Sequence, residues 1–181
     1  GTYQDDFETS EWGGGYLAVK TKTGGWQLVT TLFDASTGTS VKNQGRVDKL
    51  EVRDFIPGGS SEVVVTHSRN DWERGVDNDD TSWLTVCESA ATGPRCWEVI
   101  VEYQNHHVMG EVYDDDPEAT ADEEFGFEPL KYSLDVSVDA EGELVVKLLD
   151  NEGKIPESIR TMLTPKPVAE AIKAEEISVF P

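Results

Sequence analysis

The sequence predicts a mainly β protein, with antiparallel hairpins forming a sandwich, an open barrel or propeller-like blades and a short helix at the C-terminal end. Three observations carry this expectation. Apolar and polar residues alternate with period two in run after run. Turn signals built from Gly, Pro, Asn and Asp separate the runs. Helical spacing is confined to the end of the chain. A single β-rich domain over residues 1–181 is expected, because 181 residues suffice for one real core, and five Trp, five Tyr and six Phe are spread along them.

Taken in order, Tyr16–Val19 and Trp26–Phe33 are β-rich runs joined through the turn KTGG. KLEVRDF alternates, with Leu50 and Val52 on one face. SEVVVTHS is a short buried-type run that follows the turn IPGGS. WLTVC and CWEVIVEY form a pair around ESAATGPR. The clearest hairpin is YSLDVSVDAEGELVVKLLD, and a second turn, DNEGK, follows at once. PKPVAEAIKAEEI is the helix: Pro167 suits a first turn, and Val168, Ala171, Ile172 and Ile177 fall near helical spacing. IPESIRTML reads as one further short helical turn. Residues 16–33 and 83–103 can be laid over one another as aromatic-Leu-x-Val, turn, Trp-polar-aliphatic-aliphatic, which suggests a repeated hairpin unit.

KLEVRDFIPGGSSEVVVTHS, Lys49 to Ser68, resembles a FG-GAP/VCBS-type β-propeller repeat of secreted proteins. Val52-Arg53-Asp54 and Glu62-Val63-Val64-Val65 match the pattern of an aliphatic-x-Asp strand end followed by an acidic-aliphatic strand. The resemblance covers about twenty residues, and FIPGGSS lacks the second and third carboxylates of that family's calcium loop. It implies an extracytoplasmic β architecture with a binding role, and no calcium site of the family's type. A full propeller needs at least about four blades of four strands, more than this chain supplies.

Thirty-six acidic residues against fifteen basic ones give a net charge of −21. A field of that sign repels nucleic acid and anionic membranes. Solubility in salty water, a solvated surface and counter-ions such as calcium each account for it. No apolar run approaches the ~18–20 residues that span a bilayer, so no membrane insertion is expected. No signal peptide is visible, so an exported protein would have lost its leader.

Cys87 and Cys96 lie at the inner ends of paired strands. Facing Cβ atoms of a hairpin stand about 4.5–5.5 Å apart, within reach of a cystine. A disulfide here implies an oxidising compartment: secreted, periplasmic or surface-anchored. Their spacing does not suit a structural zinc motif, and the acids around Cys87 oppose a reactive thiolate.

Asp77, Asp79, Thr81 and Glu88 occupy positions 1, 3, 5 and 12 of an EF-hand window, but Ser82 stands where that loop needs Gly and strand follows instead of helix. A looser calcium cage from Asp77, Asn78, Asp79 and Asp80 is the remaining ion-site candidate there, since calcium accepts flexible oxygen ligands. Glu111–Glu128 holds nine acids and no Lys or Arg. Asp114, Asp115 and Asp116 would supply monodentate oxygens, and Glu123 and Glu124 more. Phe125 and Phe127 inside this run either pin it to the core or offer apolar anchors beside negative charge for a cationic protein or peptide. Trp26, Trp72, Trp83 and Trp97 are core-type residues, and Trp72, read as lying in a polar loop, is the best ligand platform among them.

His106 and His107 point to opposite faces on alternation, so they do not share a metal; His67 ends the buried-type run. No nucleophile elbow, P-loop or Rossmann glycine pattern occurs. The first functional expectation is a secreted or cell-envelope binding module for a cationic protein or a glycan, with calcium as the one structural ion considered. The second is a hydrolase using His67, His106 or His107 with nearby acids in a concave pocket. The third is a structural segment of a larger surface protein. An enzyme is the less expected outcome.

Overall fold

The computed structural model describes residues 2–4, 13–20, 25–33, 41–58, 61–73, 78–90, 93–106 and 129–180. The protein is mainly β, with antiparallel sheets and, among the described residues, two short helices near the C-terminal end. Strands β1 (Thr2–Gln4), β2 (Gly13–Lys20) and β3 (Trp26–Phe33) form a small sheet in that order. A larger sheet contains β4 (Val41–Arg53), β5 (Glu62–Glu73), β6 (Asn78–Ala90), β7 (Gly93–His106), β8 (Lys131–Val138), β9 (Glu143–Glu152) and β10 (Lys166–Pro167). Its path runs β10-β9-β8-β7-β6-β5-β4, while β11 (Ser178–Phe180) pairs with β7. Among the described residues the path is open at β4 and β10, so the layers make a sandwich and not a closed barrel.

The hairpins read from alternation form as expected. The two copies of the suspected repeat are both antiparallel hairpins, but 16–33 lies in the small sheet and 83–103 in the large one. Several strands run beyond their apolar stretches: β5 continues to Glu73 and β6 begins at Asn78. Trp72 therefore belongs to a strand, paired with Lys42 and Asn78, and not to a loop.

The centre of the large sheet is buried on both faces. Val64 and Val65, Thr85 and Val86, and Cys96 and Trp97 are consecutive pairs, and every member is buried. Successive strand residues point to opposite faces, so both faces must be covered. One face carries Val64, Leu84, Val86, Trp97 and Val99, joined in one cluster by Ile159, Met162, Ala171 and Ile177 from the C-terminal region and by Leu134, Val136, Leu144 and Val146. The other carries Val65, Cys87 and Cys96 against Leu17 and Val29 of the small sheet. Cys87 and Cys96 stand directly opposite each other with Cα atoms 4.1 Å apart, and they form the expected disulfide inside this second cluster.

The stretch 49–68 is the β4–β5 hairpin with its turn. Buried Glu62 faces this turn, and its Oε2 accepts hydrogen bonds from the backbone N–H groups of Phe55 (2.8 Å) and Ile56 (3.1 Å). Such charge-assisted bonds satisfy donors that would otherwise be costly to bury.

Among the described residues of the large sheet, three extra residues interrupt the pairing: Asp48 in β4, Val101 in β7 and Leu149 in β9, each where the register shifts. A bulge bends its strand and increases the local twist. Past these positions β8 stays on β7 only through Lys131–Ser133, and β11 takes the remaining edge at Cys96–Glu98.

Helices α1 (Glu157–Met162) and α2 (Val168–Lys173) follow β9. Pro167 precedes α2 with φ −53°, a value its ring fixes in advance. Behind α2, the Glu175 N–H bonds the Ile172 carbonyl and the Glu176 N–H bonds the Ala171 carbonyl, a Schellman pattern that places Glu175 at φ 58°. Gly153 at φ 76° solves a different problem: a Cβ there would collide with the Pro129 carbonyl.

These two positions lead to opposite expectations. Glu175→Gly should stabilise the protein by about 0.5–1 kcal/mol, because it relieves the left-handed penalty. Gly153→Ala should destabilise it by more than about 2 kcal/mol, because it adds both strain and a backbone clash. Urea unfolding of the two variants checks both signs.

Candidate binding groove

Beyond the bulges the large sheet changes character. Arg46, Ser68, Ser82, Glu102, Ser133 and Asp150 stand directly opposite one another in an unbroken row from β4 to β9. Asn70, Asp80, Gln104, Lys131 and Glu152 form the adjoining row from β5 to β9. Directly opposed residues share a face, so the pleat brings both rows to one side of the sheet. All of them except Glu152 line a groove of about 740 Å³.

Neighbours in the rows hold one another in place. Arg46 Nε donates to Ser68 Oγ (3.1 Å), and Ser82 Oγ donates to Glu102 Oε2 (3.3 Å). Asn70 Nδ2 donates to Asp80 Oδ1 (2.7 Å), while His106 Nε2 contacts Asp80 Oδ2 at 2.9 Å. Lys131 Nζ lies 3.3 Å from Asp150 Oδ2. These exposed pairs contribute little stability individually. Their consequence is chemical: cationic donors, carboxylate acceptors and short hydroxyls alternate over a rigid backbone.

The reverse side of the same strip is anchored. Arg69, Thr81, Tyr103 and Tyr132 form a row of direct partners there. Tyr103 and Tyr132 stack with centroids 5.7 Å apart, and the Tyr103 hydroxyl donates to Asp79 Oδ1 (3.0 Å). Burial pushes the Tyr132 phenol up to about 12.

A second polar group lies nearer the sandwich interior. His67 is buried, stacks on Trp83 at 5.3 Å and has Nε2 3.0 Å from Thr85 Oγ1. The Thr85 hydroxyl donates to Glu98 Oε2 at 3.5 Å, leaving its oxygen to accept from His67 Nε2–H. Burial lowers the His67 pKa from 6.5 to about 4, with Asp48 opposing and Arg69 assisting. Burial raises that of Glu98, against the Thr85 hydrogen bond. An imidazole enclosed to this degree is packed as part of the interior.

The residues singled out from sequence fare unevenly. The disulfide Cys87–Cys96 is present. Asp79 and Asp80, considered as neighbours in one calcium cage, are divided by the pleat: Asp79 takes the Tyr103 hydroxyl on one face, and Asp80 takes Asn70 and His106 on the other. Among the described residues, no three His, Cys, Asp or Glu side chains gather as metal ligands. Asp77, Asp114, Asp115, Asp116, Glu123, Glu124, Phe125, Phe127 and His107 lie outside the described residues, as does the Trp72 side chain. The groove residues were missed by sequence reading because a strand that is polar on one face and mixed on the other shows no apolar alternation. The legible signal was the spacing of small polar residues, as at Ser68 and Asn70 or Asp80 and Ser82.

Among the described residues, no helix is long and apolar enough to cross a membrane. No family model matches the chain, and neither curated proteins nor solved structures show a significant similarity to it.

The buried imidazole makes stability pH-dependent. The folded pKa of His67 lies below its unfolded value, so its neutral form costs nothing above about pH 6.5 and stability falls as pH drops toward about 4. The loss attributable to His67 is about 3 kcal/mol at most. Glu98 acts in the opposite sense, since its raised pKa makes the folded state take up a proton first. His67→Phe, which keeps a ring against Trp83, should flatten the fall in urea midpoint across this range; an unchanged slope would exclude His67 as the group responsible.

Proposed function

We propose that this protein is an extracytoplasmic binding module whose polar sheet face takes a hydroxyl-rich ligand, a short segment of glycan chain. One observation carries the reading: the two cross-strand rows that floor the groove, running from Arg46 to Asp150 and from Asn70 to Lys131. Every sugar hydroxyl both donates and accepts. A floor that alternates Arg46, Asn70, Gln104 and Lys131 with Asp80, Glu102 and Asp150, punctuated by Ser68, Ser82 and Ser133, offers partners of both kinds. A surface of one charge sign would favour an ion or an oppositely charged peptide instead.

The size supports the same reading. About 740 Å³ falls within the roughly 300–1,000 Å³ of ordinary ligand clefts. The serines keep the floor low, and the stacked tyrosines behind it keep it rigid, which limits the entropy lost on binding. The disulfide fits residence in an oxidising compartment, where glycans are abundant on surfaces. The net charge of −21 disfavours nucleic acid and anionic lipid as alternatives.

Calorimetric titration against neutral and acidic oligosaccharides tests this. At least one class should bind, and Glu102→Gln and Asn70→Ala should each weaken it about tenfold, a loss of about 1.4 kcal/mol. Ser82→Leu, which fills the floor, should abolish binding, while Glu141→Gln on the β8–β9 turn should leave it unchanged. Binding that survives Ser82→Leu would place the ligand elsewhere and end the proposal.

A further inference from the structure

The outer edge of β4 lies at the opposite end of the sheet from β10, and among the described residues no strand pairs with it. An open edge presents unpaired backbone N–H and C=O groups and is a template for strand addition. On this edge Leu50 and Val52 are 55% and 68% exposed, although Val65, directly opposite Leu50, is fully buried. Protein edges are commonly guarded by charge, and β4 has Lys49, Glu51 and Arg53 alternating with these apolar residues. The arrangement of the guard is what matters here.

We infer that β4 pairs antiparallel with β4 of a second copy of this chain, about a two-fold axis passing through Leu50. An antiparallel pairing centred on one residue sets the residue before it opposite the residue after it in the partner. Centred on Leu50, Lys49 faces the partner copy's glutamate at position 51, and Glu51 faces its lysine at position 49. Leu50 meets its own symmetry mate, and Val52 lies on the diagonal. Moving the axis to Glu51 sets two carboxylates face to face and Lys49 against an arginine, so that register is repelled. The Leu50-centred register therefore matches itself, whereas the Glu51-centred one is repelled.

In the single chain, Glu51 is held between Lys49 (3.0 Å) and Arg53 (3.7 Å). Exposed pairs of this kind are weak, so exchanging them for equivalent pairs across the axis costs little. The bulge at Asp48 ends the flat part of the edge and confines pairing to a short segment. A short, reversible interface follows, with the same surface used by both copies. The paired segment Lys49–Arg53 lies beyond Gly45 and Arg46, the groove-lining residues of β4.

Sedimentation over a concentration series tests the inference. The wild-type chain should pass from one-chain to two-chain mass as concentration rises. Glu51→Lys and Lys49→Glu should each remain at one-chain mass, since each places like charges in opposition twice. An equimolar mixture of these two variants should regain two-chain mass, because lysines at 49 and 51 then face glutamates at 49 and 51. Leu50→Cys should form a symmetric disulfide on mild oxidation, whereas Arg53→Cys should not, which gives a reading independent of the charge variants. A wild-type chain that stays at one-chain mass throughout, or a mixture that fails to associate when the wild type does, would overturn the inference.

Discussion

The structure depends on the double burial of the strands at the centre of the large sheet. Val64 and Val65, Val86 and Cys87, and Cys96 and Trp97 are adjacent in sequence yet point to opposite faces, and all are buried. A sheet whose two faces are both apolar must be covered twice. The small β1–β3 sheet covers one side through Leu17 and Val29. The C-terminal region covers the other through Ile159, Met162, Ala171 and Ile177. Among the described residues, the buried apolar side chains of both covers pack against those of β5–β7.

The same constraint explains how polar groups survive inside. Glu62 is tied to two backbone donors of the β4–β5 turn, and His67 to Thr85, which in turn serves Glu98. An unpaired polar group at such depth would cost more than its hydrogen bond contributes. His67 meets this cost by staying neutral, which is why burial drives its pKa down to about 4.

At the bulges the constraint is released. Asp48, Val101 and Leu149 mark where apolar pairing gives way to the polar rows of Arg46–Asp150 and Asn70–Glu152. The backbone ladder continues through both halves, so one continuous sheet supplies a core at one end and a hydrogen-bonding surface at the other. The exposed polar side chains of the rows are thereby separated along the strands from the double-sided core, as loops are from a rigid scaffold in other folds.

By itself the sequence determined the β class, the hairpins at 16–33, 83–103 and 132–150, the C-terminal helix after Pro167 and the pairing of Cys87 with Cys96. These are short-range properties: alternation, turn residues and a two-strand spacing decide them without reference to the rest of the chain. It did not disclose the groove, and it placed Trp72 in a loop. Ser68 to Glu73 and Asn78 to Ser82 carry too few apolar residues to look like strands, and they are strands because their neighbours' ladders extend through them. Likewise Asp79 and Asp80 look like a pair in sequence and are separated by the pleat, while Arg46 and Asp150, more than a hundred positions apart, share one row. Which polar residues act together is set by register, and register is a property of the assembled sheet.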